Sequence, residues 1–324
     1  MYYFCTYFDT NYISRALCLL ESLQRHCSSF LIYMLCMDES TFDRMNSLKN
    51  KNIMPIKLSR LESYYNELLS LKKSRSKIEY YYTCGPSFIK YIMDNFINID
   101  IITYLDADLY FFHDPKPLFD QFQGYSIGVI AHQLPEFRKN NIWQGIYNVG
   151  WISFKRDKNG LACLEWWRER CIEWCYERYE DGKYADQLYL DQWPKLFQGF
   201  KEFTNHGANV AAWNVRNYKF SYRNNTIYVD NDPLIFYHFH GFKKVTNNIY
   251  NTNLGISLRT PPNVLKKCVF IEYIRKLNKY SSCCNPTPSI RIYRRKFQIF
   301  KDIIRLFLGI IFRQYILVIK NRIY

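Results

Sequence analysis

The chain has 324 residues, 48% of them hydrophobic and 19% aromatic, and carries 44 Lys and Arg against 29 Asp and Glu, a formal charge of +15. This is the composition of a globular protein, long enough for one large α/β domain with an appendage, and the charge calls for an anionic partner: nucleic acid, a membrane surface or a phosphorylated substrate. Eleven cysteines, an odd number scattered through apolar stretches such as those holding Cys18, Cys36 and Cys163, argue against a disulfide framework and for reduced, buried thiols.

The opening "MYYFCTYFDT" has no basic leader or long apolar run, so it predicts no signal peptide and a cytoplasmic chain. Strand and helix then alternate: "YYFCTYF" as a strand, "NYISRALCLLESLQRH" as an amphipathic helix, "FLIYMLC" as a strand and "ESTFDRMNSL" as a capped helix. "KKSRSK", residues 72–77, is a solvated basic loop by default, with a lid over a bound phosphate as its alternative. A helix near Pro86 leads into "IITYLDADLYFF", residues 101–112. "YSIGVIA" and "YNVGWISFKR" are strand-like, "GLACLEWWRERCIEWCYERYE" is a long helix, and "ADQLYLDQW" is a short one closed by Pro194. Trp166, Trp167 and Trp174 share a broad helical face and are expected in the core. Cys171 and Cys175, one helical turn apart, lack the further ligands a metal site needs. Residues 220–240 return to strands, and one mixed domain to about residue 260 is the simplest division, followed by a connecting segment over 261–289.

Residues 290–324 behave differently. Ile299, Ile303, Phe307 and Ile311 recur at helical spacing among basic residues, predicting an amphipathic helix that holds about half of the net charge. No uncharged run approaches the roughly 18 residues that span a bilayer. An interfacial helix on anionic lipid is the favoured reading, with packing on the domain or a second copy as the alternative, and nucleic acid the least favoured.

Asp106 and Asp108 stand one residue apart at the expected C-terminal end of a strand, where open α/β sheets bind ligands. On an extended strand both point to one side, and two adjacent carboxylates repel unless a cation joins them. Mg²⁺ or Mn²⁺ with a substrate diphosphate is the usual answer. Some 130 residues on, "YHFHGFKK" supplies His238, Gly241 and Lys244 in the spacing H-x-x-G-x-x-K; an imidazole beside carboxylates favours Mn²⁺ over Ca²⁺. Gly241 allows backbone approach to a phosphate and Lys244 offers an ammonium.

The order D-x-D, "YNVG", "DQ", "WN", H-x-x-G-x-x-K, with "FDTNYISRAL" at the start, resembles retaining nucleotide-sugar glycosyltransferases of the GT-A fold, family 8-like, over residues 3 to about 245. The resemblance implies a Rossmann-like single domain with a mixed central sheet. It implies metal binding by Asp106, Asp108 and His238, and a nucleotide-sugar donor held by Tyr7, Asp9, Asn11, Tyr12, Asp106, Gly241 and Lys244. Asn148, Asp186 and Gln187 would face the transferred sugar as catalytic groups, and Asn214 would lie on the acceptor side. Where the family continues into Pro-Trp after the lysine, this chain has Val245 and Thr246, and the tryptophan-rich helix is also a departure. Both point to a bacterial surface-polysaccharide branch, with a glycan or glycolipid acceptor at the inner membrane. Asp186 and Asp191 are the carboxylates available as a base, which leaves stereochemistry open at this point. Two alternatives compete: a sugar-phosphate nucleotidyltransferase, whose Gly-rich loop after the first strand is missing from "CTYFDTNY", and a membrane-associated glycan-binding protein.

Overall fold

The structure is a computed structural model that describes residues 1–281, 315–319 and 322–323, apart from 142, 247, 258, 259 and 261. The first part alternates as β1 (Tyr2–Phe8), α1 (Ile13–His26), β2 (Phe30–Cys36), α2 (Glu39–Ser47) and β3 (Ile53–Lys57), followed by α3 (Leu58–Tyr64), α4 (Glu67–Ser74) and α5 (Lys77–Asn95). Asp38 caps α2 by accepting from the Thr41 backbone N–H at 2.8 Å. The helix expected near Pro86 starts at Lys77 instead, because Ser76 and Glu79 form a reciprocal capping box that defines its first turn. Pro86 lies inside α5, where it gives up one intrahelical bond.

Next come β4 (Ile101–Leu105), β5 (Leu109–Phe111), α6 (Lys116–Phe122), β6 (Ile127–Ala131), β7 (Tyr147–Lys155), α7 (Lys158–Glu173), α8 (Trp193–Leu196) and β8 (Phe200–Glu202). "ADQLYLDQW" resolves into a 3₁₀ turn over Leu188–Gln192 running into α8, and Pro194 sits in the first turn of α8 instead of closing it. The seven-stranded sheet has the order β3-β2-β1-β4-β7-β6-β8. Strands β1 to β4 are parallel, β7 is antiparallel to both β4 and β6, and β8 is parallel to β6. This is the α/β, Rossmann-like class with a mixed central sheet. One face packs on α5 and α7, where Trp167 and Trp193 are buried, and the other on α1 and the strand pair beyond the aspartates. Trp166 is only partly buried against the same core.

"KKSRSK" is not a loop. Lys72 to Ser74 close α4, and Arg75 is 6% exposed. Its guanidinium donates to the backbone carbonyls of Cys171 and Ile172, at 2.6 Å each, and to Thr83, so it caps the C-terminal end of α7. Cys171 and Cys175 are buried free thiols.

The remainder holds β9 (Val210–Ala211), β10 (Phe220–Arg223), β11 (Thr226–Val229), β12 (Asp232–Pro233), β13 (Phe236–His238), β14 (Lys243–Lys244), β15 (Ile249–Asn251), α9 (Ile271–Ser281), β16 (Tyr315–Ile319) and β17 (Arg322–Ile323). Strands β5, β13 and β9 make a second, three-stranded sheet, β10, β11 and β12 a third of three strands, and β14 to β17 a fourth of four. The predicted tail helix lies outside the described residues over 290–314. Where the tail is described it is strand, not helix: the β-rich run Tyr315–Ile319 pairs antiparallel with β15, whose edge would otherwise lack partners.

Helix α9 is clamped to α1 by Glu21, which takes hydrogen bonds from Lys276 (2.5 Å), Lys279 (3.0 Å) and Tyr280. Burial alone would raise this carboxyl, but those hydrogen bonds outweigh it and bring it down to about 2. A carboxyl depressed in the folded state contributes stability above its ordinary value of 4.5 and loses it as pH falls toward 2. Glu21→Gln is therefore expected to lower the melting temperature at pH 7 and to flatten the loss of stability between about pH 4.5 and 2. Arg75→Met should cost about 2–3 kcal/mol by urea unfolding, the worth of charged hydrogen bonds to carbonyls that then have no donor.

Candidate active site

"IITYLDADLYFF" is two strands, not one. β4 ends at Leu105, the chain turns through Asp106, Ala107 and Asp108, and β5 leaves into the second sheet. The Asp106 N–H donates to the Gly150 carbonyl at 3.1 Å and its own carbonyl accepts from the Leu109 N–H at 3.2 Å, which fixes the turn. The acidic pair thus stands just beyond the C-terminal end of a central strand, and a turn, not strand alternation, puts both carboxylates on one side.

β13 runs antiparallel to β5 with His238 opposite Leu109, and the Phe239 N–H donates to the Asp108 carbonyl at 3.0 Å. That pairing carries an imidazole from late in the chain to the acids. His238 Nε2 lies 3.2 Å from Asp108 Oδ1 and 3.4 Å from Asp106 Oδ2. One ligand atom from each of the three residues falls within 4.8 Å of the others. The close approach requires Gly150, since a Cβ there would stand 2.9 Å from the His238 ring and 2.6 Å from Asn148 Oδ1.

The surrounding groups orient the three donors. Tyr104 donates to Asp106 Oδ1 at 2.8 Å, leaving Oδ2 toward the imidazole, and His238 Nδ1 faces Asn209 Oδ1 at 3.3 Å, which directs Nε2 to the carboxylates. Burial would raise Asp108, but His238, His240 and Arg15 together bring it down to about 2. Asp106 is raised, by burial first and by Asp108 in part, against the pull of His238. His238 itself is held up, because Asp108 and Asp106 outweigh its burial. Two carboxylates and one imidazole, each oriented by its neighbours, are a donor set that fits a divalent ion such as Mn²⁺ or Mg²⁺.

Two cavities meet at this cluster and share Tyr7, Tyr82, Asp106, His238 and His240. The larger, about 530 Å³, is lined by Asp9, Asn11, Tyr12, Lys77 and Tyr81 as well as Asp108. Asp9 caps the 3₁₀ turn Thr10–Tyr12 through the Asn11 N–H at 3.0 Å, and its other oxygen takes Asn11 Nδ2 at 3.2 Å and Tyr81 at 3.4 Å. Lys77 Nζ completes that shell at 2.7 Å from Asp9 Oδ2. Arg15 lies over the Tyr12 ring at 4.5 Å and donates to the Phe242 carbonyl at 3.0 Å, tying the opening turn to the turn after β13.

The smaller cavity, about 300 Å³, is lined by Asn148, Asp186 and Gln187. Asn148 Oδ1 accepts from the Gly150 N–H at 2.9 Å and its Nδ2 donates to His132 Nε2 at 3.3 Å. His132 Nδ1 meets the Ile146 carbonyl at 3.1 Å, and burial lowers its pKa to about 4, so the ring stays neutral. Gln187 Nε2 donates to the Gln144 carbonyl at 2.7 Å, which fixes the orientation of its amide at the cavity wall. Asp186 is 4% exposed, and burial reinforced by Asp106 pushes it up to about 8.

Three expected residues stand elsewhere. Gly241, at φ +69°, shapes the turn after β13, but neither it nor Lys244 is among the described residues lining either cavity. Lys244 is exposed on β14. Asn214 is buried and its amide serves backbone: it accepts from the Ala211 N–H and donates to the His132 and Asn209 carbonyls. Asp191 likewise holds the Ile146 N–H at 2.9 Å and 3.0 Å, a structural clamp. Sequence reasoning missed Tyr82, His132, Tyr184, Trp213 and His240 as cavity residues. Two carried a signal: Trp213 precedes Asn214 in the quoted "WN", and His240 is one strand alternation beyond His238.

No protein-family model matches the chain. It is 37% identical over 254 residues to the uncharacterized protein YfnF of Bacillus subtilis, covering 76% of this chain and 83% of that protein. It is 30% identical over 282 residues to YfnD of the same organism, also uncharacterized, covering 86% of this chain and 89% of that one. Among solved structures it is similar to mouse xyloside xylosyltransferase 1, with a TM-score of 0.49 and 15% identity over 74% of this chain and 98% of that one. With identity sustained over most of both chains, this protein belongs to the family of Bacillus subtilis YfnF and YfnD.

Proposed function

We propose that the protein is a metal-dependent glycosyltransferase that moves a sugar from a nucleotide diphosphate, UDP in the first instance, to a cell-surface glycan acceptor. The observation that carries this reading is the convergence of Asp106, Asp108 and His238 at the junction of two cavities. A nucleoside in the larger cavity and a sugar in the smaller one would leave the diphosphate bridging them at the acidic cluster. The motif order that resembles family 8-like enzymes assigns the same halves to the same substrates.

Asp106, Asp108 and His238 would hold the divalent ion, which when bound supplies charge to the leaving diphosphate. Asp9, Asn11 and Tyr12 hold the nucleoside end, while Asn148 and the Gln187 amide oxygen orient the sugar. Burial, reinforced by Asp106, pushes Asp186 up to about 8, which favours a hydrogen-bond donor over a base. No other carboxylate besides Asp106 is among the described residues lining the sugar cavity. The shortage of an ionised base there favours retention, with the departing phosphate accepting the acceptor's proton. The basic tail over 290–324, nine Lys and Arg against Asp302, favours peripheral contact with an anionic inner membrane. Among the described residues no helix is long and apolar enough to cross one.

Calorimetric titration with UDP is expected to show binding that requires Mn²⁺ or Mg²⁺; equal affinity with and without metal would overturn the metal-dependent reading. Asp108→Asn removes a charge at nearly constant volume and should cut donor-sugar hydrolysis more than about 100-fold, beyond the usual loss from an outer-shell change, with an unchanged circular dichroism spectrum. For the membrane contact, the full chain should sediment with vesicles containing phosphatidylglycerol and not with pure phosphatidylcholine, and equal binding to both would remove the electrostatic basis.

A further inference from the structure

Resting on the donor site proposed above, we infer that Lys77, the first residue of α5, is the cation that meets the donor's diphosphate, and that its ion pair with Asp9 is its resting position. The cleft that would take the nucleoside diphosphate is acidic: Asp9, Asp106, Asp108 and Glu177 line it. A diphosphate entering such a cleft needs positive charge beyond a divalent ion. Lys244 stands exposed on β14 outside the described lining, whereas Lys77 is the one lysine among the described residues that line the cleft.

The geometry lets Lys77 move. Its side chain is 65% exposed, with Nζ 2.7 Å from Asp9 Oδ2 and 5.5 Å from the Tyr81 ring centre. Its backbone is fixed, because Ser76 caps α5 and the Glu79 carboxylate returns to the Ser76 N–H at 2.8 Å. A rigid helix start with a flexible four-carbon stem can therefore redirect an ammonium without moving the chain. Asp9 does not depend on Lys77 alone, since Asn11 and Tyr81 also donate to it. A nucleobase N–H presented to Asp9 Oδ2 would replace the ammonium there and release it toward the phosphates. The pair thus couples recognition of the base to neutralisation of the diphosphate.

Titration calorimetry with UDP and with uridine, in Mn²⁺ and without it, on wild type, Lys77→Ala, Lys77→Arg and Lys244→Ala, tests the assignment. Lys77→Ala should lose about tenfold or more in UDP affinity with uridine affinity undiminished, Lys77→Arg should recover most of it, and Lys244→Ala should lose less. UDP affinity within twofold of wild type in Lys77→Ala, or an equal loss for uridine and UDP, would overturn it; the second result would mean that Lys77 acts on the nucleoside through Asp9. A wild-type chain that binds no UDP fails the underlying donor reading instead, so the two failures are distinguishable.

Discussion

The pairing of β13 with β5 is the constraint on which the site depends. It places His238 beside Leu109 and so within reach of Asp106 and Asp108. Without it the turn after β4 would hold two carboxylates near one another in a poorly hydrated setting, with repulsion and no compensating charge. With it the cluster has one imidazole, oriented from behind by Asn209, whose charge holds Asp108 down while both carboxylates hold the imidazole up. Gly150 on β7 and the Tyr104 hydroxyl on β4 serve the same cluster, one by leaving room and the other by turning Asp106.

The rest of the molecule supports that junction from several sides. Arg15 ties the opening turn to the turn after β13, Arg75 ties the end of α7 to the start of α5, and Glu21 binds α9 to α1. Each contact joins elements far apart in sequence, and each uses a side chain that looks like ordinary surface charge in a linear reading. Arg75 is the clearest case, since its neighbours Ser74 and Ser76 suggest a solvated loop while its guanidinium is buried against carbonyls.

The division of the cleft into two cavities gives the candidate residues unequal roles. Asp186 and Asp191 are both carboxylates in one short stretch, yet Asp186 is buried at the smaller cavity with a raised pKa, and Asp191 is spent on the Ile146 N–H. Lys77 and Lys244 differ in the same way. One lines the larger cavity and the other stands exposed on β14. Residue type alone does not separate the members of either pair.

By itself the sequence determined the α/β class, the first strands and helices, and the place of Asp106 and Asp108 at the end of a central strand. These follow from local periodicity: alternation every two residues for strands, every three to four for helices, and polar punctuation between them. The tertiary structure alone decided that residues 101–112 are two strands in two sheets, that α5 begins at Lys77, and that Tyr315–Ile319 is a strand. Only there do His132, Trp213 and His240 join the cavity walls. The reason is physical: a strand needs a partner for its hydrogen bonds and a cavity needs walls from several elements, and neither is encoded within a short window of one chain.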